Sequence, residues 1–225
     1  MNGTPTGTLA VWLLLAAAGA ASASPAGAPA TAMLGGRRAV HAASWTERMF
    51  EAALRKGLAA DGMMLLVSVE QQRMLVADGR GVHARYRIST SRFGTGSRQG
   101  SHKTPLGLHR VADRIGDDEP AGRVFVARQP TPRVVPEHDW RRPRSRDMIL
   151  TRILRLKGLT PGLNRGAGID SYDRFIYIHG TNQEHLLGRP ASHGCIRMGN
   201  RAMIALYRML HGREAWCCIM ERFPG

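Results

Sequence analysis

From Met63 to Thr90 the chain runs through three short apolar or alternating stretches, each cut off by turn residues, and this pattern limits the possible folds more than any other feature. Met63–Glu70 is almost wholly apolar, Arg73–Val76 follows a short polar turn, and Val82–Thr90 alternates behind the hairpin-like Ala77-Asp78-Gly79-Arg80-Gly81. Runs of this length bounded by Gly and Asp are strands. Further runs at Gly107–Ile115, Arg123–Arg128, Met148–Leu156, Asp173–Ile178 and Trp216–Met220 extend the series. Two segments have helical spacing instead. Trp45, Met49, Ala53, Leu54 and Leu58 repeat behind a Ser44/Glu47 capping box, predicting a helix over 45–59. Met203, Ile204, Leu206, Tyr207 and Leu210 share one face of a second helix over 200–211, which Gly212 ends. Ser91–Lys103, Gln129–Arg146 with its four prolines, and Thr160–Asp170 read as loops. The expected fold is mainly β, a β-sandwich or open barrel with one or two packed helices.

The 225 residues, 43% of them apolar, suit one domain plus an additional segment. Leu9–Ala23 holds about fifteen apolar or small residues, short of the ~20 that span a bilayer, and ends in the small-residue cleavage pattern Ala21-Ser22-Ala23. Residues 1–8 lack Lys and Arg, so an uncleaved anchor is the alternative to a signal peptide. Either way the domain is expected outside the cytoplasm, periplasmic or facing the cell wall; the signal-peptide reading, which is favoured, leaves no integral membrane span. The expected organisation is a signal peptide at 1–23, a disordered linker rich in Ala, Pro and Gly at 24–44, an N-terminal helical segment at 45–62 and the main domain at 63–221.

A formal charge of 32 − 17 = +15 attracts polyanions. The basic residues are scattered except at Arg141-Arg142-Pro143-Arg144-Ser145-Arg146, which reads as a solvated loop. No zinc-finger or base-stacking signature accompanies them, so no nucleic-acid partner is expected. Of the three cysteines, Cys217 and Cys218 are adjacent, a poor geometry for a bridge, and lie in a run that reads as a buried final strand. Cys195 is left unpaired, and a free thiol is unusual in an exported chain.

That thiol has acid–base groups near it in sequence. Cys195 sits in Ser192-His193-Gly194-Cys195-Ile196-Arg197, and His179 lies sixteen residues upstream, at the end of the apolar run Asp173–Ile178. A thiol and an imidazole are the minimum parts of a nucleophilic acyl-transfer site. His179 is the candidate base, held by a rigid strand. Gly194 leaves space at the nucleophile and permits a tight turn. The amides of Gly194 and Cys195 are candidates to face a developing oxyanion. His193 has three open roles: polarising the acyl carbonyl, holding the loop, or acting as the base. Arg197, two residues beyond the thiol, either binds a substrate carboxylate or is an ordinary surface arginine. His185 reads as solvated; His83, His102, His109, His138 and His211 read as structural or surface. His179, His185, His193 and Cys195 are suitable zinc ligands in type, but their spacing matches no common zinc signature, so neither a metal nor another cofactor is expected.

His179-Gly180-Thr181 followed by Ser192-His193-Gly194-Cys195-Ile196-Arg197 resembles the signature of the L,D-transpeptidase (YkuD-type) catalytic domain. Leu65–Glu70 with Gln71-Gln72 and Met74–Gly79 is similar to that family's opening hairpin. Ile88-Ser89-Thr90-Ser91 and Thr104-Pro105-Leu106-Gly107 resemble its S-T-G and T-P-x-G segments. The resemblance covers about residues 63–221. It implies Cys195 as nucleophile, His179 as general acid/base, Gly180, Ser192, His193 and Gly194 as residues shaping the site, and Arg197 near the substrate. Some members carry Asn where this chain has Arg197. The implied partners are peptidoglycan stem peptides and, as one possible acceptor, a wall-attached lipoprotein. The implied reaction forms a thioester with a tetrapeptide stem, releases D-alanine and passes the acyl group to an amine. Transfer to water would make the protein a carboxypeptidase or a hydrolase of wall links, and a non-catalytic wall-binding protein is a third reading. The Ser91–Lys103 or Gln129–Arg146 loop is expected to cover the site as a lid.

Overall fold

The computed structural model describes residues 44–143 and 147–224. The expected signal peptide, residues 24–43 of the expected linker, and Arg144, Ser145 and Arg146 of the basic run lie outside the described residues. The elements are α1 (Trp45–Arg55), β1 (Met63–Ser68), β2 (Arg73–Asp78), β3 (Gly81–Ser89), β4 (Gly107–Ile115), β5 (Arg123–Val126), β6 (Gln129–Val134), β7 (Ile149–Gly158), β8 (Tyr177–Thr181), β9 (Ile196–Met198), α2 (Asn200–Met209) and β10 (Ala215–Met220).

All ten strands form one sheet, in the order β4-β10-β1-β2-β3-β9-β8-β7-β5-β6. An additional β4–β7 pairing closes the first eight into a ring, and β5 and β6 extend outward from β7. The pairs β1–β10 and β8–β9 are parallel; the remaining pairs are antiparallel. The mainly β expectation holds.

β1 is buried along its whole length because it lies between β2 and β10 and is covered on both faces, which explains its continuous apolar run. Met63, Leu65 and Val67 of β1 point into the main core. They meet Met74 and Val76 of β2, Ile178 of β8, Ile196 and Met198 of β9, and Met203, Leu206 and Leu210 of α2. The helix α2 is amphipathic, and its buried stripe packs against β7 and β8, the strands that carry the candidate base and its neighbour. α1 packs against β2 and β3.

Three local expectations change. Gln129–Val134 is a strand despite Pro130 and Pro132. As β6 it is the outermost strand of the extension, where a missing N–H faces no partner. The strand expected from Asp173 starts only at Tyr177. Residues 170–175 turn instead, with Arg174 N–H donating to Asp170 O, Phe175 N–H donating to Tyr172 O, and Phe175 itself left-handed at φ 56°. His179 is therefore the middle residue of β8 rather than its end. Third, Ile196–Met198 forms a short strand where no periodicity announces one.

Candidate active site

Register places the candidate base and nucleophile on one face of the sheet. Ile178 pairs with Ile196 and His179 with Arg197 in the parallel β8–β9 pair, and His179 is also opposite Ile153 of β7. Side chains alternate along strands, so Ile178 and Ile196 enter the core while Tyr177, His179 and Arg197 face the other way. Cys195, at the entry to β9, packs with Tyr177, Ile153 and Phe125 on that second face. Cys195 and His179 are thus diagonal neighbours on adjacent strands.

His179 is 2% exposed. Its Nδ1 lies 2.7 Å from Gly180 O, and a carbonyl only accepts, so Nδ1 carries the proton and Nε2 keeps its lone pair. Burial lowers its proton affinity; Asp147 and the Gly180 carbonyl act in the opposite direction, and Arg197 reinforces the lowering. Gly180 is required by close approach: a Cβ there would lie 2.3 Å from Asn200 Oδ1 and 2.7 Å from Leu150 O.

The turn that presents Cys195 is fastened at several points. Thr90 O accepts from the amides of Ala191 and Ser192, both at 2.9 Å, and Ser192 O accepts from Arg92 N–H at 3.1 Å. Ser192 Oγ donates to Cys195 O at 2.6 Å and accepts from Gly194 N–H at 3.2 Å. Thr104 Oγ1 donates to Gly194 O at 3.0 Å and accepts from Ser91 N–H at 3.0 Å. Gly194 holds the turn at φ 122°, a conformation that disfavours any side chain. Cys195 is partly buried, and its Sγ donates to Phe175 O at 3.4 Å. Burial pushes the thiol up to about 11, partly countered by a backbone bond from Tyr177 and by the charges of Arg197 and Arg174. Burial thus disfavours the charged form of both side chains.

His193 is exposed and turned toward the Ser91–Lys103 loop. Arg92 Nη2 donates to His193 Nε2 at 2.7 Å, and the rings of Phe93 and His102 lie 5.8 and 6.0 Å away. Arg197 is 1% exposed and lies inside the protein, unlike an ordinary surface arginine. Nη2 pairs with Asp147 Oδ2 at 2.7 Å, Nη1 donates to Gln183 Oε1 at 3.0 Å, and Nε is buried without a hydrogen-bond partner among the described residues.

Sequence reasoning did not single out Asp147, Gln183, Phe175 or Asn200; Thr104 entered it only as the first residue of the T-P-x-G segment. Asn200 Nδ2 donates to Thr181 O at 2.7 Å and its Oδ1 accepts from Thr151 Oγ1 at 2.6 Å, tying the start of α2 to β7 and β8. No motif marks Asp147, Gln183, Phe175 or Asn200, because tertiary pairing alone brings them to the site. A separate cleft of 740 Å³ lies among Arg85, Arg87, Glu137, Arg141, Glu184 and Arg201, without Cys195 or His179 in its lining. Among the described residues no helix is long and apolar enough to cross a membrane.

The family model for the L,D-transpeptidase catalytic domain, YkuD, matches residues 63–214. No curated protein matches. Among solved structures, the chain is similar to an L,D-transpeptidase from Mycobacterium smegmatis, with 13% identity over 70% of this chain and 58% of that one and a TM-score of 0.40. It is similar to L,D-transpeptidase 3 from Mycobacterium tuberculosis in complex with a faropenem-derived adduct, at 14% identity, 71% and 60% coverage and a TM-score of 0.41. It is also similar to the helical cell shape determining protein Pgp2 from Campylobacter jejuni, at 14%, 74% and 49%, with a TM-score of 0.42. The chain spans about three fifths of the length of the two mycobacterial structures and about half of the third.

Proposed function

The chain belongs to the L,D-transpeptidase catalytic-domain family, and on that premise we propose that it is an exported peptidoglycan L,D-transpeptidase using Cys195 as nucleophile and His179 as general acid/base. The observation that carries the reading is a partly exposed thiol on the same sheet face as a buried histidine whose Nδ1 proton is committed to Gly180 O.

In the proposed cycle, the carbonyl joining the L-centre of diaminopimelate to the terminal D-alanine of a tetrapeptide stem approaches Sγ. His179 Nε2 takes the thiol proton as the S–C bond forms, so the thiolate need not exist beforehand. The Gly194 amide already donates to Ser192 Oγ, leaving the amides of His193 and Cys195 to stabilise the oxyanion. His179 then gives its proton to the departing D-alanine nitrogen, and a thioester remains on Cys195. An amine of another stem, or of a wall-attached protein, attacks the thioester with His179 again as base. Ser192, Gly194 and Gly180 hold the geometry, and His193 with Arg92 forms the outer rim. Arg197, buried and held by Asp147 and Gln183, has no free Nη pair to offer a substrate carboxylate and acts on the site through its charge. The Ser91–Lys103 loop, joined to the cysteine turn through Arg92, is the proposed cover.

Incubation with tetrapeptide muropeptides followed by mass spectrometry tests the reading. Cross-linked dimers with release of D-alanine support it, tripeptide monomers alone assign the same cysteine to hydrolysis, and unchanged substrate rejects both. Cys195→Ala is expected to abolish turnover while preserving the thermal unfolding midpoint; surviving turnover would remove Cys195 from the mechanism.

A further inference from the structure

We propose that Asp147 is a positioning residue for this thiol: paired with Arg197 beside His179, it balances the charge around Cys195 and His179 so that a proton can pass between them in both directions. The inference rests on the thiol–imidazole reading above and extends it to a residue 32 positions upstream of His179 in sequence.

The geometry is specific. Arg197 is the register partner of His179 across the β8–β9 pair, so guanidinium and imidazole stand side by side on one face. Asp147 approaches from the segment before β7. Its Oδ2 lies 2.7 Å from Arg197 Nη2, and its Oδ1 accepts from Thr181 Oγ1 at 3.2 Å. Thr181 is two residues beyond His179 on β8 and shares its face. The carboxylate is thereby held by both strands that carry the site.

A purely structural role explains this pair poorly. Burying an arginine carries a large desolvation cost, and apolar residues of similar volume commonly serve stability as well or better. Here the arginine is 1% exposed with Nε unpartnered among the described residues, a poor arrangement for a stabilising bridge. The surroundings supply a different reason. The charged and titratable groups around the two reacting side chains are Arg197 on β9, Arg174 in the turn before β8, Arg92 and His193 at the rim, Tyr177 on β8, and Asp147. Among the described residues, Asp147 is the one carboxylate in this group. Arginines alone would favour the thiolate but oppose the imidazolium that His179 must become in each half-reaction. Asp147 supports the imidazolium, and Arg197 prevents the carboxylate from suppressing the thiolate. The two partners therefore act on the thiol with opposite signs.

That opposition supplies the test. The rate of Cys195 alkylation by iodoacetamide is measured against pH on the full chain, with peptide mass mapping to separate Cys195 from Cys217 and Cys218. Asp147→Asn is expected to move the Cys195 midpoint down by about one pH unit, and Arg197→Gln to move it up by about one. The double variant is expected near the parent. Loss of packing alone would move both single variants in one direction, and that result, or no movement in either, overturns the proposal. If Asp147→Asn does not fold, Arg197→Gln decides alone: an upward shift supports the proposal, and a downward or absent shift rejects it. The measurement needs no wall substrate. Failure of the transpeptidase reading would appear instead as a parent protein that turns over no muropeptide while its alkylation profile still responds to both substitutions with opposite signs.

Discussion

A methyl group added at position 180 is the sharpest single-residue probe of the site. Its Cβ would meet Asn200 Oδ1 and Leu150 O, the first a side chain committed to Thr151 and Thr181, the second a backbone atom of β7. Neither can yield without moving α2 or β7, and overpacking of this kind costs about 1–3 kcal/mol. Gly180→Ala is expected to lower the thermal unfolding midpoint by several degrees and to reduce turnover at least tenfold, because the Gly180 carbonyl that fixes the His179 tautomer would shift; an unchanged midpoint and rate would contradict this. At this scale the sequence was most legible where chemistry is local. Cys195, His193, Gly194 and Ser192 lie in one short segment, and His179 ends an apolar run, so both proposed reacting groups stand out in the sequence. Asp147 was not, because its contacts with Arg197 and Thr181 cross 50 and 34 residues and arise only when β7, β8 and β9 pair.

Among the elements, β4 carries a second buried histidine with a measurable consequence. His109 Nδ1 donates to Gly107 O at 3.0 Å, and its Nε2 accepts from Ser171 Oγ at 2.9 Å, tying β4 to the crossing that precedes β8. Burial lowers its pKa from 6.5 to about 4. An unfolded chain takes up this proton near pH 6.5 while the folded chain refuses it until about pH 4, so the contribution to stability is complete above the upper value and is lost as pH falls between them. The full loss is about 3 kcal/mol. Urea unfolding at pH 7 and pH 4.5 is expected to show a steeper decline for the parent than for His109→Gln; equal slopes would remove His109 as the cause. Strands such as β1 and β4 were legible because a long apolar or alternating run has only one economical reading. β6 was hidden by two prolines that an outer strand tolerates, and β9 by its three-residue length. The start of β8 was misplaced because apolar Phe175 and Ile176 prolong the run backward through a turn that only the left-handed Phe175 reveals.

For the molecule as a whole, the position of β10 matters most. The last strand is inserted between β1, the first, and β4. Its side chains are buried throughout, with Cys217 and Ile219 in the main core. A chain ending after Glu214 would leave β1 and β4 with open, apolar edges, which favour association between molecules. Such a truncation is expected to be insoluble or to lack protease resistance, whereas a soluble, protease-resistant product would show that the ring tolerates the gap. The scheme of an incomplete ring also bears on biosynthesis. A strand that bridges the earliest and a middle part of the fold cannot take its place until every other described element has been synthesised. Until then β8 and β9, which carry His179 and lead from Cys195, lack their finished scaffold.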